Sequence, residues 1–161
     1  MGEEGRMSHQ PTMFGSPQTV TTSDDYYTPP WVFERMGLTF DLDVAAPPGG
    51  VEWVPARRFF TLEEDGLSLP WEGRVWMNPP YSKPSPWVDR FIRHGHGVAL
   101  LPFAKSGWFD RLWSSAEAVV APGVHASRFV GGAIFMPVLF AAFGDECCEA
   151  LGRIGTVRRA T

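Results

Sequence analysis

The chain has little cysteine, no excess of positive charge and no long apolar run. Its two cysteines, Cys147 and Cys148, are neighbours, so a disulfide between them would be strained. Two thiols are also too few for a zinc site unless distant histidines join them; the reading is two ordinary thiols. The net charge of −4 does not advertise a nucleic-acid binder. The longest apolar stretch, Gly131 to Gly144, is interrupted by Pro137 and is too short for a bilayer. Met1-Gly2-Glu3-Glu4 has neither the basic start nor the apolar core of a secretory signal. These features predict a cytoplasmic protein with no membrane role.

What is present suits one globular domain. At 161 residues, 44% apolar and 20% charged, the chain can bury a real core. Residues 1–25 are rich in Gly, Ser, Thr, Gln and Pro without apolar periodicity, which predicts a flexible arm. The domain is expected over 26–145, with 146–161 as a C-terminal tail. Thr28-Pro29-Pro30 before Trp31, Val32, Phe33 and Met36 reads as a helix start with Thr28 as N-cap, and Gly37 as its end.

Phe40-Asp41-Leu42-Asp43-Val44 reads as a strand with its apolar residues on one face and its aspartates on the other. After the loop containing Pro47-Pro48-Gly49-Gly50, Phe59-Phe60-Thr61 and Val75-Trp76-Met77 read as further short strands. Pro86 to Ile92 has helical spacing, and Gly97 to Phe103 is a continuous apolar run of the kind found in a central parallel strand. Trp108-Phe109 with Leu112-Trp113 gives another helix, and Ala118 to Val120 another strand. This alternation predicts an α/β fold with helices on both faces of the sheet. Ala133 to Phe143 is expected to form a β-hairpin closing its edge.

The most informative motif is Asn78-Pro79-Pro80-Tyr81, delivered by the strand before it. An exocyclic amine is a poor nucleophile because its lone pair is delocalised into the ring. Acceptors on its N–H groups, such as an Asn side-chain oxygen and a backbone carbonyl, help to turn that pair outward. Proline has no N–H and a fixed φ, and it drives the preceding residue towards extended geometry, so two in succession stiffen the segment. Tyr81 adds a ring on which a base can stack. In open α/β sheets ligands bind beyond the carboxyl ends of the strands. Asp43, Asp65 and Asn78 all fall at such ends, where carboxylates can accept ribose hydroxyls and a ring amino group.

Basic residues are scattered: Arg57-Arg58, Lys83, the group Arg90, Arg93, His94 and His96, then Lys105, Arg128, and Arg153 with Arg158 and Arg159. They either form one basic face or simply solvate several.

The series Tyr27-Thr28-Pro29, Phe40-Asp41-Leu42-Asp43-Val44-Ala45-Ala46, Phe60-Thr61 with Asp65-Gly66-Leu67 and Trp71, Val75 through Ser82, Pro86-Trp87-Val88, and Leu100-Leu101-Pro102 with Trp108-Phe109 resembles the phage-type DNA N6-adenine methyltransferases (Dam family). The resemblance implies a compact Rossmann-like methyltransferase fold, S-adenosylmethionine as cofactor and adenine N6 of double-stranded DNA as acceptor. It implies that Tyr27, Thr28 and Pro29 lie near the methionine moiety, that Asp41 or Asp43 meets the ribose, and that Asp65 meets the cofactor adenine, with Asn78 beside it. Asn78, Pro79, Pro80 and Tyr81 would be catalytic, with the target adenine flipped out of the duplex onto Tyr81. Ser82, Lys83 and Lys105 are candidate substrate contacts, and neither a metal nor a covalent intermediate is required. The chain departs from many such enzymes in lacking a Gly-x-Gly turn, for which Gly49-Gly50 is an imperfect substitute. The alternatives are another amine acceptor (RNA adenine, cytosine N4 or protein glutamine) and a non-catalytic nucleic-acid-binding module.

Overall fold

A computed structural model of the chain describes residues 28–122, 128–129, 132–133 and 137–160; the expected arm over 1–25 lies outside them. In chain order the elements are α1 (Pro30–Met36), β1 (Phe40–Ala46), β2 (Ala56–Thr61), β3 (Val75–Met77), α2 (Ser85–His94), β4 (Gly97–Pro102), α3 (Gly107–Ser115), β5 (Ala118–Val120), β6 (Arg128–Phe129), β7 (Gly132–Ala133), β8 (Val138–Phe143), α4 (Asp145–Leu151) and β9 (Val157–Arg159).

Seven strands form one mixed sheet in the order β2-β1-β3-β4-β8-β5-β9, while β6 pairs with β7 separately. Strand β1 is parallel to both β2 and β3, and β3 is parallel to β4, so four carboxyl ends point the same way. The chain passes from β1 to β2 on one side, then crosses back to β3 on the other. That reversal makes the gap between β1 and β3 a topological switch point, where open α/β sheets hold ligands.

The period-two alternation of the strands sorts the core into two clusters. Trp76, Val98, Leu100, Phe140 and Ala142 pack with Val32, Phe33 and Met36 of α1 and Cys147, Cys148 and Leu151 of α4. Val75, Met77, Ala99, Leu101, Leu139 and Ala141 pack with Trp87, Val88 and Phe91 of α2 and Leu112 of α3. The result is a Rossmann-like three-layer α/β fold, as the alternation predicts. Trp76 anchors the first cluster, with ring centroids 4.8 Å from Phe33, 5.8 Å from Phe40 and 6.4 Å from Phe140.

Four local expectations change. Thr28 is not the cap of α1: Pro29 holds that position, no side chain caps the helix, and Thr28 is buried. Strand β1 does not divide into an apolar and a polar face. Phe40 belongs to the first cluster, Leu42 and Val44 to the second, and Asp43 is only 4% exposed, because an interior parallel strand is covered on both sides. The expected edge hairpin over 133–143 also differs. Strand β7 pairs with β6, and β8 runs antiparallel between β4 and β5 in the sheet interior, where its six residues are all buried. Residues 146–161, expected as a tail, instead supply most of α4, whose apolar face covers the first cluster, and β9, which pairs with β5 at the edge.

One glycine permits the central pairing. Gly97 has φ +147°, and a Cβ there would lie 2.2 Å from the Val75 carbonyl oxygen, so β3 and β4 approach only without a side chain.

Candidate active site

A cavity of about 600 Å³ opens at the carboxyl ends of β1 and β3. Thr28, Asp43, Asp65, Asn78, Pro80, Ser82 and Lys83 line it, together with Pro47, Pro48, Val51, Val54, Leu62, Gly66, Leu67, Trp76 and Trp87. A second cavity of about 210 Å³ shares Asp43, Val51 and Val54 with it and is walled by Gly49, Gly50 and Phe59. Both glycines hold positive φ, +81° and +73°, and a Cβ on Gly50 would meet the Phe59 ring at 2.9 Å. Other residues there would be strained.

Asp43 is the buried charge of the site. Pairing places it opposite Trp76 of β3 and Phe59 of β2, and its Oδ1 accepts the Ala45 N–H at 3.2 Å. Burial pushes its carboxyl up to about 7, against the smaller pull of that hydrogen bond. Asp41 stands elsewhere. Near the amino end of β1, its Oδ2 accepts the Arg74 N–H at 2.8 Å and its Oδ1 lies 3.9 Å from the Arg57 guanidinium. It pins the turn into β3 and does not line the cavity.

Thr28 gives its carbonyl to the Trp53 indole N–H at 2.8 Å. Its hydroxyl is buried with no partner among the described residues, an arrangement that costs free energy unless a ligand completes it. Asp65 enters from the irregular segment between β2 and β3. It adopts left-handed φ, +51°, and its carbonyl accepts the Ser68 N–H and hydroxyl, each at 2.9 Å. Next to it, Gly66 passes so close to β1 that a Cβ would sit 2.1 Å from the Val44 carbonyl oxygen and 3.3 Å from the Trp87 ring.

Asn78 follows β3 directly and lines the cavity with Pro80, while Pro79 is buried behind them. Tyr81 does not line the cavity. Its half-buried ring packs against the first core cluster, and its hydroxyl donates to the Leu100 carbonyl at 3.5 Å, a burial that pushes the phenol well above its usual range. Pro29 is buried at the start of α1, and Lys105 is exposed in the turn between β4 and α3. Tyr27 lies outside the described residues.

Part of the expected basic set has partners within the protein. Arg57 and Arg58 pair with Asp41 and Glu72 at the surface, and Arg90, His94 and Arg153 contact backbone carbonyls. Sequence reasoning missed Pro47, Pro48, Val54, Leu62 and Trp87 as cavity walls. The signal was available, since each falls in or beside a loop that follows a strand end or the Asn-Pro-Pro turn.

No described helix is long and apolar enough to cross a membrane. Comparison with known proteins adds two findings. The family model described as DNA N-6-adenine-methyltransferase (Dam) matches residues 15–130. A protein of Haemophilus phage HP1 (strain HP1c1) named DNA N-6-adenine-methyltransferase is 35% identical over 108 residues, covering 60% of this chain and 61% of the relative. The chain therefore spans less than two thirds of that relative's length. With most of its sheet and the whole Asn-Pro-Pro-Tyr turn inside the matched region, the chain belongs to the DNA N-6-adenine-methyltransferase (Dam) family.

Proposed function

We propose that the protein transfers a methyl group from S-adenosylmethionine to adenine N6 in double-stranded DNA. The observation that carries this reading is the meeting, in one cavity at the switch point of the sheet, of Asn78 and Pro80 with the buried Asp43 carboxylate. Family membership and the name of the phage relative support DNA adenine as the acceptor.

The chemistry of the cavity suits the cofactor. Its volume of about 600 Å³ falls within the range of roughly 300–1,000 Å³ typical of small-molecule sites. The Thr28 hydroxyl, which has no partner among the described residues, and the Asp43 carboxylate answer polar groups, and Val54, Leu67 and Trp87 offer apolar walls to an adenine ring. Bound there, S-adenosylmethionine supplies a methyl group on a positively charged sulfur. On this reading Asp43, rather than Asp41, accepts the ribose hydroxyls, Asp65 accepts the cofactor's ring amine, and Tyr27, Thr28 and Pro29 stand at the methionine end.

The Asn78 side-chain oxygen and the Pro79 carbonyl accept the two N–H groups of the target amine and turn its lone pair towards the methyl. Pro80 removes a competing donor and stiffens the turn. Tyr81, tied to β4 through Leu100, gives the flipped base a ring that does not swing. Ser82 and Lys83 at the cavity mouth, with Lys105 beyond β4, meet the DNA strand. Positioning and oriented dipoles supply most of the acceleration.

The test is incubation with methyl-labelled S-adenosylmethionine and unmethylated duplex DNA, followed by nucleoside mass spectrometry. Labelled N6-methyl-2′-deoxyadenosine is the expected product. Label in cytosine, or transfer only to RNA or protein, would replace the acceptor; cofactor binding without transfer to any of these would argue against catalysis.

A further inference from the structure

We propose that Arg90 is a positioning residue that fixes the Asp65 side of the cavity and so sets cofactor affinity without touching the cofactor. The proposal rests on the reading that Asp65 meets S-adenosylmethionine. No helix or strand spans the segment between Thr61 and Val75, so many of its carbonyls need partners from outside. Helix α2 supplies partners at positions 90 and 94, and Trp87 on the same stripe stacks on the segment's own Trp71.

The Arg90 guanidinium donates through its two terminal nitrogens to the carbonyls of Leu67 and Leu69 and lies 4.9 Å over the Trp71 ring. Trp71 stacks against Trp87 at 6.4 Å, and its indole N–H donates to the Gly66 carbonyl at 2.7 Å. His94 holds the Gly73 carbonyl at 2.8 Å. Four carbonyls between residues 66 and 73 are thus fixed by one helix and the tryptophan stacked on it.

What they hold in place is strained and adjacent to the site. Asp65, one residue before this clamp, sits at φ +51°, a conformation that persists in a non-glycine residue when its surroundings impose it. Gly66 and Leu67 are themselves cavity wall. Helix α2 begins two residues after Lys83, so the Asn-Pro-Pro turn and the Asp65 segment hang from the same helix. Lysine cannot replace Arg90 fully, because a point charge on a flexible stem does not bridge two carbonyls as a planar fork does. Unlike a residue of a solvated basic face, Arg90 turns its guanidinium onto the carbonyls of Leu67 and Leu69.

The experiment measures S-adenosylmethionine Kd by calorimetry for the wild type, Arg90→Met, Arg90→Lys, Asp65→Asn and the Arg90→Met/Asp65→Asn double variant, with KM and kcat on duplex DNA. Arg90→Met is expected to raise Kd and cofactor KM by about tenfold while kcat at saturating cofactor falls far less, and Arg90→Lys to fall between it and the wild type. If Arg90 acts through Asp65, the double variant binds no more weakly than the weaker single one, a coupling of the size found between interacting residues. Wild-type affinity in Arg90→Met, independent multiplication of the two single effects, or a loss of kcat with KM unchanged would overturn the proposal. Should Arg90→Met lose its cooperative melt, Arg90→Lys decides: a raised Kd supports the proposal and a wild-type Kd overturns it. Failure of the wild type to bind the cofactor would instead remove the cofactor reading, and this proposal with it.

Discussion

Asp43 combines burial, charge and position more tightly than any other described residue of the cavity. An unfolded aspartate ionises near 3.8, whereas burial pushes this one up to about 7. Between those values the folded chain holds a proton that the unfolded chain has released, so the folded state is favoured most below about pH 4. That contribution is lost as pH rises through about 7. Asp43→Asn removes the titration, so thermal melts should show the variant gaining on the wild type between pH 5 and pH 8. Ligand hydroxyls favour the ionised carboxylate. S-adenosylmethionine Kd for the wild type should therefore rise as pH falls below 7, whereas the variant binds weakly with little pH dependence. An unchanged wild-type Kd from pH 8 to pH 5.5 would mean that the carboxylate does not meet the cofactor.

At the scale of elements, the approach of β3 and β4 depends on a missing side chain. Gly97→Ala would place a Cβ 2.2 Å from the Val75 carbonyl oxygen at a backbone angle of +147°. Clash and strain together should cost about 3 kcal/mol or more, read as a lowered denaturant midpoint. A variant as stable as the wild type would refute the close pairing. The elements that sequence reading placed well are those whose signal is local: the apolar run of β4, the 3.6-residue spacing of α2 and α3, and the Gly37 stop of α1. Those it misplaced depend on distant partners. Nothing in Val138–Phe143 says that it inserts between β4 and β5, and Val157–Arg159 has no alternation to mark it as a strand. Helix α4 does carry a local signal, Cys147, Cys148 and Leu151 at helical spacing behind Asp145 and Glu146, in which the two cysteines serve as small apolar core residues. Within the site, Asn78, Asp43 and Asp65 were legible because strand ends and turn residues are written in sequence. Arg90 was not, because its partners are backbone carbonyls about twenty positions away.

For the whole molecule, the two clusters make the sheet one cooperative unit that includes its last strand. Cys147, Cys148, Ala150, Leu151 and Ile154 are all buried against the first cluster. At roughly 1 kcal/mol or more for each larger side chain, their loss would consume much of the stability of a typical domain, about 5–15 kcal/mol. A chain ending at Gly144 should therefore lose its cooperative melt, whereas a dispensable tail would leave the melting temperature unchanged. The charge pattern of the molecule fits the same picture. Several arginines pair with carboxylates or hold carbonyls, whereas Lys83, which lines the cavity, and Lys105, in the turn after β4, are exposed cations.

The central claim is that Asn78, presented by β3 over the Asp43 cavity, turns the target amine towards the methyl group. The most direct measurement is N6-methyladenine formed in duplex DNA by the wild type and by Asn78→Ala, at equal protein and saturating S-adenosylmethionine, with both proteins shown to be folded by their melts. The account predicts product from the wild type and a loss of at least about a hundredfold in the variant, the scale of removing one oriented group that acts on the transition state. Equal product from both would contradict it.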